Sequence, residues 1–381
     1  MFKTIKNTLK KFESQPREKT VNFAGQDVRI KTWDKSIPKT DKFLYDHEED
    51  LQDIFSKLDW LQDENIRINL YDKTPFGTTS YPGKDTSAGI TYFVYDDKNL
   101  DDFIGSNYRQ TSGQLWETSV HVHTDTTYAL VHELGHVVDS AGYKDKYGRY
   151  IPDSHGRILY KSEYPDFDFI KEKFSEEVDR LVQKEEQEHG TKINRKTIEY
   201  WKDPSEIFAV GFDVNYKTMF ANKLLTTPDY HHLRLPDIAM AKVFDQYADE
   251  CQKFYDEACP ELAEKWNNSP LRQNNISCRF DSEHGLPARD PNEPMYYVYT
   301  DNDTGAEYWF DRLQDENAIA DYMVEQRQEY YKNLRHQDNA AKQRQEASWN
   351  PTMTHEDFSG MQAAAMTADD FAGLNTGSHE L

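Results

Sequence analysis

Cysteine is scarce in this 381-residue chain: Cys251, Cys259 and Cys278 are the only three, too few for a disulfide framework. Cys251 and Cys259 fall in a stretch that reads as one helix, where at about 1.5 Å per residue their Cα atoms stand roughly 12 Å apart, too far to bridge. No run approaches the roughly 20 apolar residues of a membrane span, so no transmembrane segment is expected. The N-terminal MFKTIKNTLKKF spaces Phe2, Ile5, Leu9 and Phe12 at helical intervals with lysines between them, which is not the continuous hydrophobic core of a Sec signal. Basic residues are also in deficit, 45 Lys and Arg against 68 Asp and Glu, for a formal charge of −23. That sign argues against a nucleic acid or anionic lipid as the main partner. Leu, Ile, Val and Phe make up only about a fifth of the chain, the border at which a charged sequence stays unfolded. Against disorder stand 24 Tyr and 7 Trp, which need a packed interior to bury their area. The expectation is a polar, Tyr-rich core with additional segments that do not fold.

The order of elements is readable from periodicity. Residues 1–20 read as a basic amphipathic helix, 21–33 as one or two strands, and 41–62 as an amphipathic helix with Phe43, Leu44, Leu51, Ile54, Phe55, Leu58 and Leu61 on its stripe. Residues 65–71, 90–95 and 118–123 read as strands, after which the period changes to 3.6 and residues 126–140 form a helix, with Thr124 or Asp125 as cap and closure near Gly142. An acidic helix over 166–188 most simply presents a solvated face, or else a rim that attracts basic substrates. Pro204 opens one helix and Pro236 a long one ending near Trp266, with His231 and His232 in a surface loop before it. Residues 21–268 are taken as the catalytic domain and 269–294, rich in Asn, Pro, Gly and Ser, as a linker. Residues 295–348 follow as an aromatic hairpin turning at Asp301 to Gly305 plus a charged helix, and 349–381 as a disordered tail.

Chemistry concentrates in Val131-His132-Glu133-Leu134-Gly135-His136-Val137-Val138-Asp139. Positions i and i+4 of a helix share a face, so His132 and His136 can present two imidazole nitrogens to one zinc ion, and Glu133 is placed to take a proton from bound water. Asp139, at i+7 from His132, is placed to accept the second N–H of a ligating histidine. An accidental HExxH arises in roughly one chain in 25 of this length, so context decides. Leu130, Leu134, Val137 and Val138 give this helix an apolar stripe, and an alternating strand precedes it.

A hydrolytic zinc site needs a third protein ligand, and the extended HExxHxxGxxH pattern is absent, since Asp139 and Gly142 occupy its Gly and third His positions. Glu206, in Asp203-Pro204-Ser205-Glu206-Ile207-Phe208-Ala209, is the best candidate. Local sequence leaves two readings open for it: with Asp203 as N-cap and Pro204 at the first helical position, Glu206 also stands where a capping-box glutamate belongs.

These two segments together resemble the catalytic core of the anthrax lethal factor-like metallopeptidases, a group that includes the Pro-Pro endopeptidases and whose zinc is bound by two histidines and a Glu in an E-x-F-A helix. The resemblance spans roughly residues 40–245. It implies an α+β, zincin-like fold with a small mixed sheet on the HExxH helix and a mostly helical C-lobe, carrying the hairpin and helix as an extension. It also implies one zinc ion per chain held by His132, His136 and Glu206, with Glu133 as general base. Tyr200, six residues before Glu206, is the nearest match to the family's oxyanion-stabilising tyrosine; an ordinary packing aromatic is the other reading. Family members carry a second glutamate four residues after the ligand Glu, where this chain has Val210, and their spacer between motifs is shorter.

The implied activity is a zinc endopeptidase acting on a protein or peptide with basic-flanked or Pro-containing sites. Val120, His121, Val122 and His123 would form the edge strand along which substrate lies extended. His121 and His123 share one face, facing solvent or substrate in preference to a second metal. Two other classes remain: a zincin-like regulator acting through protein contacts, and a structural protein that has lost catalysis and assembles through residues 313–346. Cytoplasmic localisation is the default, with non-Sec export or a phage- or plasmid-borne effector as the alternative.

Overall fold

The alternating residues after position 17 turn back on themselves at Ala24 and Gly25, whose φ angles of 49° and 91° supply the double left-handed conformation of a two-residue hairpin. β1 (Arg17–Phe23) and β2 (Gln26–Thr32) are its arms. A computed structural model of the chain describes residues 17–32, 37–63, 66–71, 89–95, 115–123, 127–144, 149–154, 156, 159–190, 192–226, 231–280, 297–310 and 312–348. Of the N-terminal helix expected over 1–20, residues 1–16 lie outside these, and 17–20 are strand, not helix.

From β2 the chain crosses through α1 (Ile37–Lys57) to β3 (Ile66–Tyr71), parallel to β2. β5 (Leu115–His123) is parallel to β3, and β4 (Gly89–Tyr95) pairs antiparallel on its far side, giving the order β1-β2-β3-β5-β4. Register stacks two apolar rows across the sheet, Val28–Ile68–Val120 and Ile30–Leu70–Val122, all buried. This order corrects the reading of Val120 to His123 as a free edge: β5 is hydrogen-bonded on both sides, and the edge belongs to β4.

Helices carry the larger share of the fold, which is α+β: α2 (Leu130–Ser140), α3 (Asp168–His189), α4 (Arg195–Trp201), α5 (Pro204–Phe220), α6 (His231–Gln246), α7 (Ala248–Ala258) and α8 (Pro260–Asn267). The acidic α3 has a dry side, burying Ile170, Phe174, Val178, Leu181 and Val182. The single long helix expected from Pro236 is three. The first begins at His231, so His231 and His232 open a helix instead of lying in a loop. The chain breaks at Tyr247 and again at Cys259, where φ is −138° because Pro260 pushes the residue before it out of the helical region. Cys251 and Cys259 thus belong to different segments, and all three thiols are free and buried.

The expected linker is also corrected. Ser269 caps the short α9 (Pro270–Gln273), accepting the Arg272 N–H, and β6 (Ile276–Phe280) pairs with β7 (Tyr297–Asp301), which pairs with β8 (Ala306–Phe310). Ile276, Cys278 and Phe280 point inward from β6, so the hairpin is continuous with the core and is no separate extension; residues 281–294 lie outside the described residues. Tyr216, Tyr255, Tyr297 and Tyr299 are among the largest fully buried side chains, as a Tyr-rich core requires. Burial is tolerable because their hydroxyls find partners: Tyr255 donates to the Phe208 carbonyl at 3.2 Å, and Tyr299 accepts the Gln314 N–H at 2.9 Å.

The chain divides into two compact units, Met1–Val324 and Glu325–Leu381. α10 (Glu316–Ser348) begins in the first, where Ile319, Ala320 and Met323 are buried. Within the second unit its described side chains are largely exposed, with Tyr330 and Tyr331 packed edge to face; the tail expected over 349–381 lies outside the described residues.

The start of α10 is fastened to the end of α1 by Lys57, whose Nζ lies 2.9 Å from Glu316 and 4.9 Å from the Phe220 ring centre. Burial raises the Glu316 carboxyl to about 7, with Lys57 opposing. A carboxyl at about 4.5 in the unfolded chain and about 7 in the fold binds more protons when folded, so its contribution falls as pH rises through that window. Denaturant melts at pH 5 and pH 8 should show the parent losing up to about 3 kcal/mol from this group. In Glu316→Gln that component of the pH dependence should be absent.

Candidate metal centre

Two helices build the site. α2 is entered through a 3-10 turn, Thr127–Ala129, with Ala129 as an N-cap that makes no side-chain bond; Thr124 and Asp125, expected as caps, lie outside the described residues. The helix packs on β4 and β5 through its apolar residues and closes at Gly142, whose φ of 64° lets its N–H reach the Asp139 carbonyl. α5 starts as its sequence dictates, with the Asp203 carboxylate accepting the Ser205 N–H at 3.0 Å and Pro204 in the first turn. From Ile207 to Lys217 every residue of α5 is buried.

The helices meet without an intervening side chain. A Cβ on Gly135 would stand 3.0 Å from the Ala209 Cα, tighter than nine in ten real Cβ contacts, and against backbone that would have to give way. This approach brings Glu206 up to both histidines: His132 Nε2 lies 3.5 Å from Oε2, and His136 Nε2 lies 3.5 Å from Oε1. Glu206 therefore does not close a capping box on its own helix. Among the described residues, His132, His136 and Glu206 are the one group of His, Cys, Asp or Glu whose donor atoms, all within 4.8 Å of one another, could hold a metal ion.

Donor chemistry and spacing fit a small divalent cation. Two atoms each about 2.0–2.1 Å from a tetrahedral zinc ion stand about 3.4 Å apart, close to the observed separations and wider than an ordinary hydrogen bond. The side chains keep 20%, 11% and 15% of their surface for His132, His136 and Glu206, so one side of the cluster is open to solvent. Glu133 is buried on α2 next to His132.

Tyr200 arrives from α4, which Asn194 caps and the Lys202–Asp179 ion pair holds against α3. As a residue it is 56% exposed, yet its hydroxyl end turns inward and donates to the Glu206 carboxylate. Desolvation of that end, then the charges of Glu206 and Glu133, raise the hydroxyl well above the usual tyrosine range and keep it a donor at neutral pH.

Asp139 is placed differently from its expected role. Its two oxygens receive the Ser162 N–H at 2.7 Å and the Ser162 hydroxyl at 2.9 Å, tying α2 to the chain that returns from the 144–160 excursion. The His136 nitrogen turned away from Glu206 is met by Ser205 Oγ at 3.0 Å instead, a contact that sequence reasoning missed although Ser205 adjoins the predicted ligand. Val120 and Val122 are core residues of β5; the side chains of His121 and His123 lie outside the described residues.

Burial lowers His136 to about 4, leaving it neutral. Burial works against protonation of His132 too, but the Glu206, Glu133 and Asp213 carboxylates outweigh it and raise His132 to about 9. For Glu206, burial is outweighed by the two histidines and Tyr200, and its carboxyl is lowered. Without an ion, the cluster thus holds a proton at His132 at neutral pH. Comparison with protein-family models, curated proteins and solved structures finds no match to this chain.

A cation must displace the His132 proton, so its affinity should weaken about tenfold for each pH unit below 9. Calorimetric titration in buffers of different ionisation enthalpy should register about one proton released per ion near pH 7. Gly135→Ala should force α2 and α5 apart and cost at least about tenfold in metal affinity, measured by chelator competition.

Proposed function

We propose that this chain is a zinc-dependent endopeptidase. The observation that carries the reading is the position of Glu206, which closes no capping box and faces both HExxH imidazoles, so that three donor atoms lie close enough for one metal ion. The resemblance of both motifs to the lethal factor-like metallopeptidases supports the same assignment.

A zinc ion bound there would supply Lewis acidity, polarising a peptide carbonyl and lowering the pKa of water toward neutrality. Glu133 takes the proton of the attacking water and returns it to the departing amine. The Tyr200 hydroxyl, kept protonated, donates to the carbonyl oxygen as negative charge develops on it. Ser205 holds the His136 ring in orientation through Nδ1. Among the described residues β4 is the edge strand beside β5, the place where an extended substrate would add to the sheet. The charge of −23 favours a basic or neutral polypeptide over an acidic one. Among the described residues no helix is long and apolar enough to cross a membrane.

A second reading, a zincin-like regulator acting through protein contacts, draws on Val210, which stands where the resembled family carries a second glutamate. Metal analysis combined with peptide-library cleavage separates the two. The peptidase reading expects one zinc per chain, cleavage by the parent, and Glu133→Gln that keeps zinc while losing at least about a thousandfold in rate. Zinc retention with no cleavage by either protein would support the regulator, and a chain that binds no zinc would remove both.

A further inference from the structure

α5 carries one carboxylate at its dry centre. Asp213 is 4% exposed, and its Oδ2 lies 2.6 Å from the Nζ of Lys217, itself 1% exposed. Its other oxygen, Oδ1, is buried and has no hydrogen-bond partner among the described residues. An unpaired carboxylate oxygen in such a place costs free energy, and a partner that forms only in the working state is one reason to keep it.

The packing of α2 on α5 brings one candidate to the same level of the helix pair. The two run antiparallel: His136 meets Ser205, Gly135 meets Ala209, and Thr127, just before α2, reaches the Leu224 carbonyl beyond the end of α5. One turn before His136 on α2 is His132, and one turn beyond Ala209 on α5 is Asp213. Seven residues also separate Asp213 from Glu206, which puts both carboxylates on one stripe of α5. His132 gives Nε2 to the Glu206 side, so its Nδ1 is the nitrogen left for the protein behind it. The fields of His132 and Asp213 act on each other, as proximity requires.

We propose that Asp213 is the positioning carboxylate for His132: Oδ1 accepts the Nδ1–H of that imidazole and fixes the tautomer that offers Nε2 to a metal ion, while Lys217 holds Oδ2. The proposal rests on the metal reading of His132, His136 and Glu206. It also accounts for a buried lysine near a cation site, because Asp213 neutralises Lys217 and leaves the ion no net positive neighbour on this helix.

The test is zinc affinity of the full chain by competition with a chromogenic chelator, alongside the visible spectrum of the cobalt(II)-loaded protein and the Tm of the metal-free protein. Asp213→Leu with Lys217→Met removes the acceptor and its cation together, leaving no orphaned charge. Its metal-free Tm should stay near the parent's, while zinc Kd rises about 10- to 100-fold and the cobalt bands shift. Asp213→Asn with Lys217→Met, which restores an oxygen acceptor, should recover much of that loss. Equal zinc affinity and unchanged cobalt spectra in parent and Leu/Met variant would overturn the proposal, as would an Asn/Met variant no better than the Leu/Met one. If the Leu/Met variant does not fold, the zinc-loaded parent decides by NMR: a His132 Nδ1–H protected from exchange supports the assignment, and a fast-exchanging one overturns it. A parent that binds no zinc removes the metal reading as well, whereas a parent that binds zinc as tightly as its variants removes this inference alone.

Discussion

The absence of a side chain at Gly135 sets the distance between α2 and α5, and most of the site follows from that distance. With Ala209 backbone against Gly135, the helices sit close enough for a glutamate near the start of one to lie between two histidines of the other. Close approach has its own demand, because a helix held this tightly and covered by α6, α7 and β6 has no solvated face. α5 accordingly reads largely apolar around its circumference, and its charged groups take specific places: Asp203 caps, Glu206 faces the histidines, and the buried Asp213 pairs with the buried Lys217. A second glycine, Gly211, repeats the arrangement on another side, where an added Cβ would stand 1.9 Å from the Tyr255 hydroxyl.

Low aliphatic content did not mean a weak core here. Phe208 lies in ring contact with Phe167, Phe254 and Tyr255, and Phe254 touches both Phe167 and Tyr255, so aromatic area replaces missing Leu and Val behind the site. The acidic surplus is spent mostly outward: apart from the buried Glu185, α3 keeps its carboxylates off the dry side, while its apolar residues close over that cluster's helices.

What could be read from sequence was whatever a local period encodes. β2 to β5, the hairpin of β7 and β8, α1, α2 and the start of α5 emerged near their limits because each has its own apolar rhythm, turn or cap. The errors were of three physical kinds. Strand order is non-local: residues 118–123 carry no mark that a later-paired neighbour, β4, covers one side of them and takes the edge. Composition overrode pattern in residues 269–280, where Asn, Pro and Ser suggested a linker while Ile276, Cys278 and Phe280 already alternated as a strand does. Polar partner choice is tertiary. Nothing local to Glu206 separates a capping glutamate from a ligand, and nothing local to Asp139 tells that Ser162 will claim both its oxygens. The resemblance to the lethal factor-like group pointed to the donor set, and the packing of α2 on α5 supplied its geometry.

His136 and Ser205 touch although 69 positions apart in sequence, and between them lie the 144–160 excursion, α3 and α4. An ion gripped by α2 and α5 would close that whole stretch into a ring. Its effect on the unfolded chain would be that of a covalent crosslink, removing loop entropy that grows with ring size. In a protein whose three cysteines are all unpaired, the metal would be the fold's one staple, and loading it would be a step in the chain's stability as much as in its chemistry.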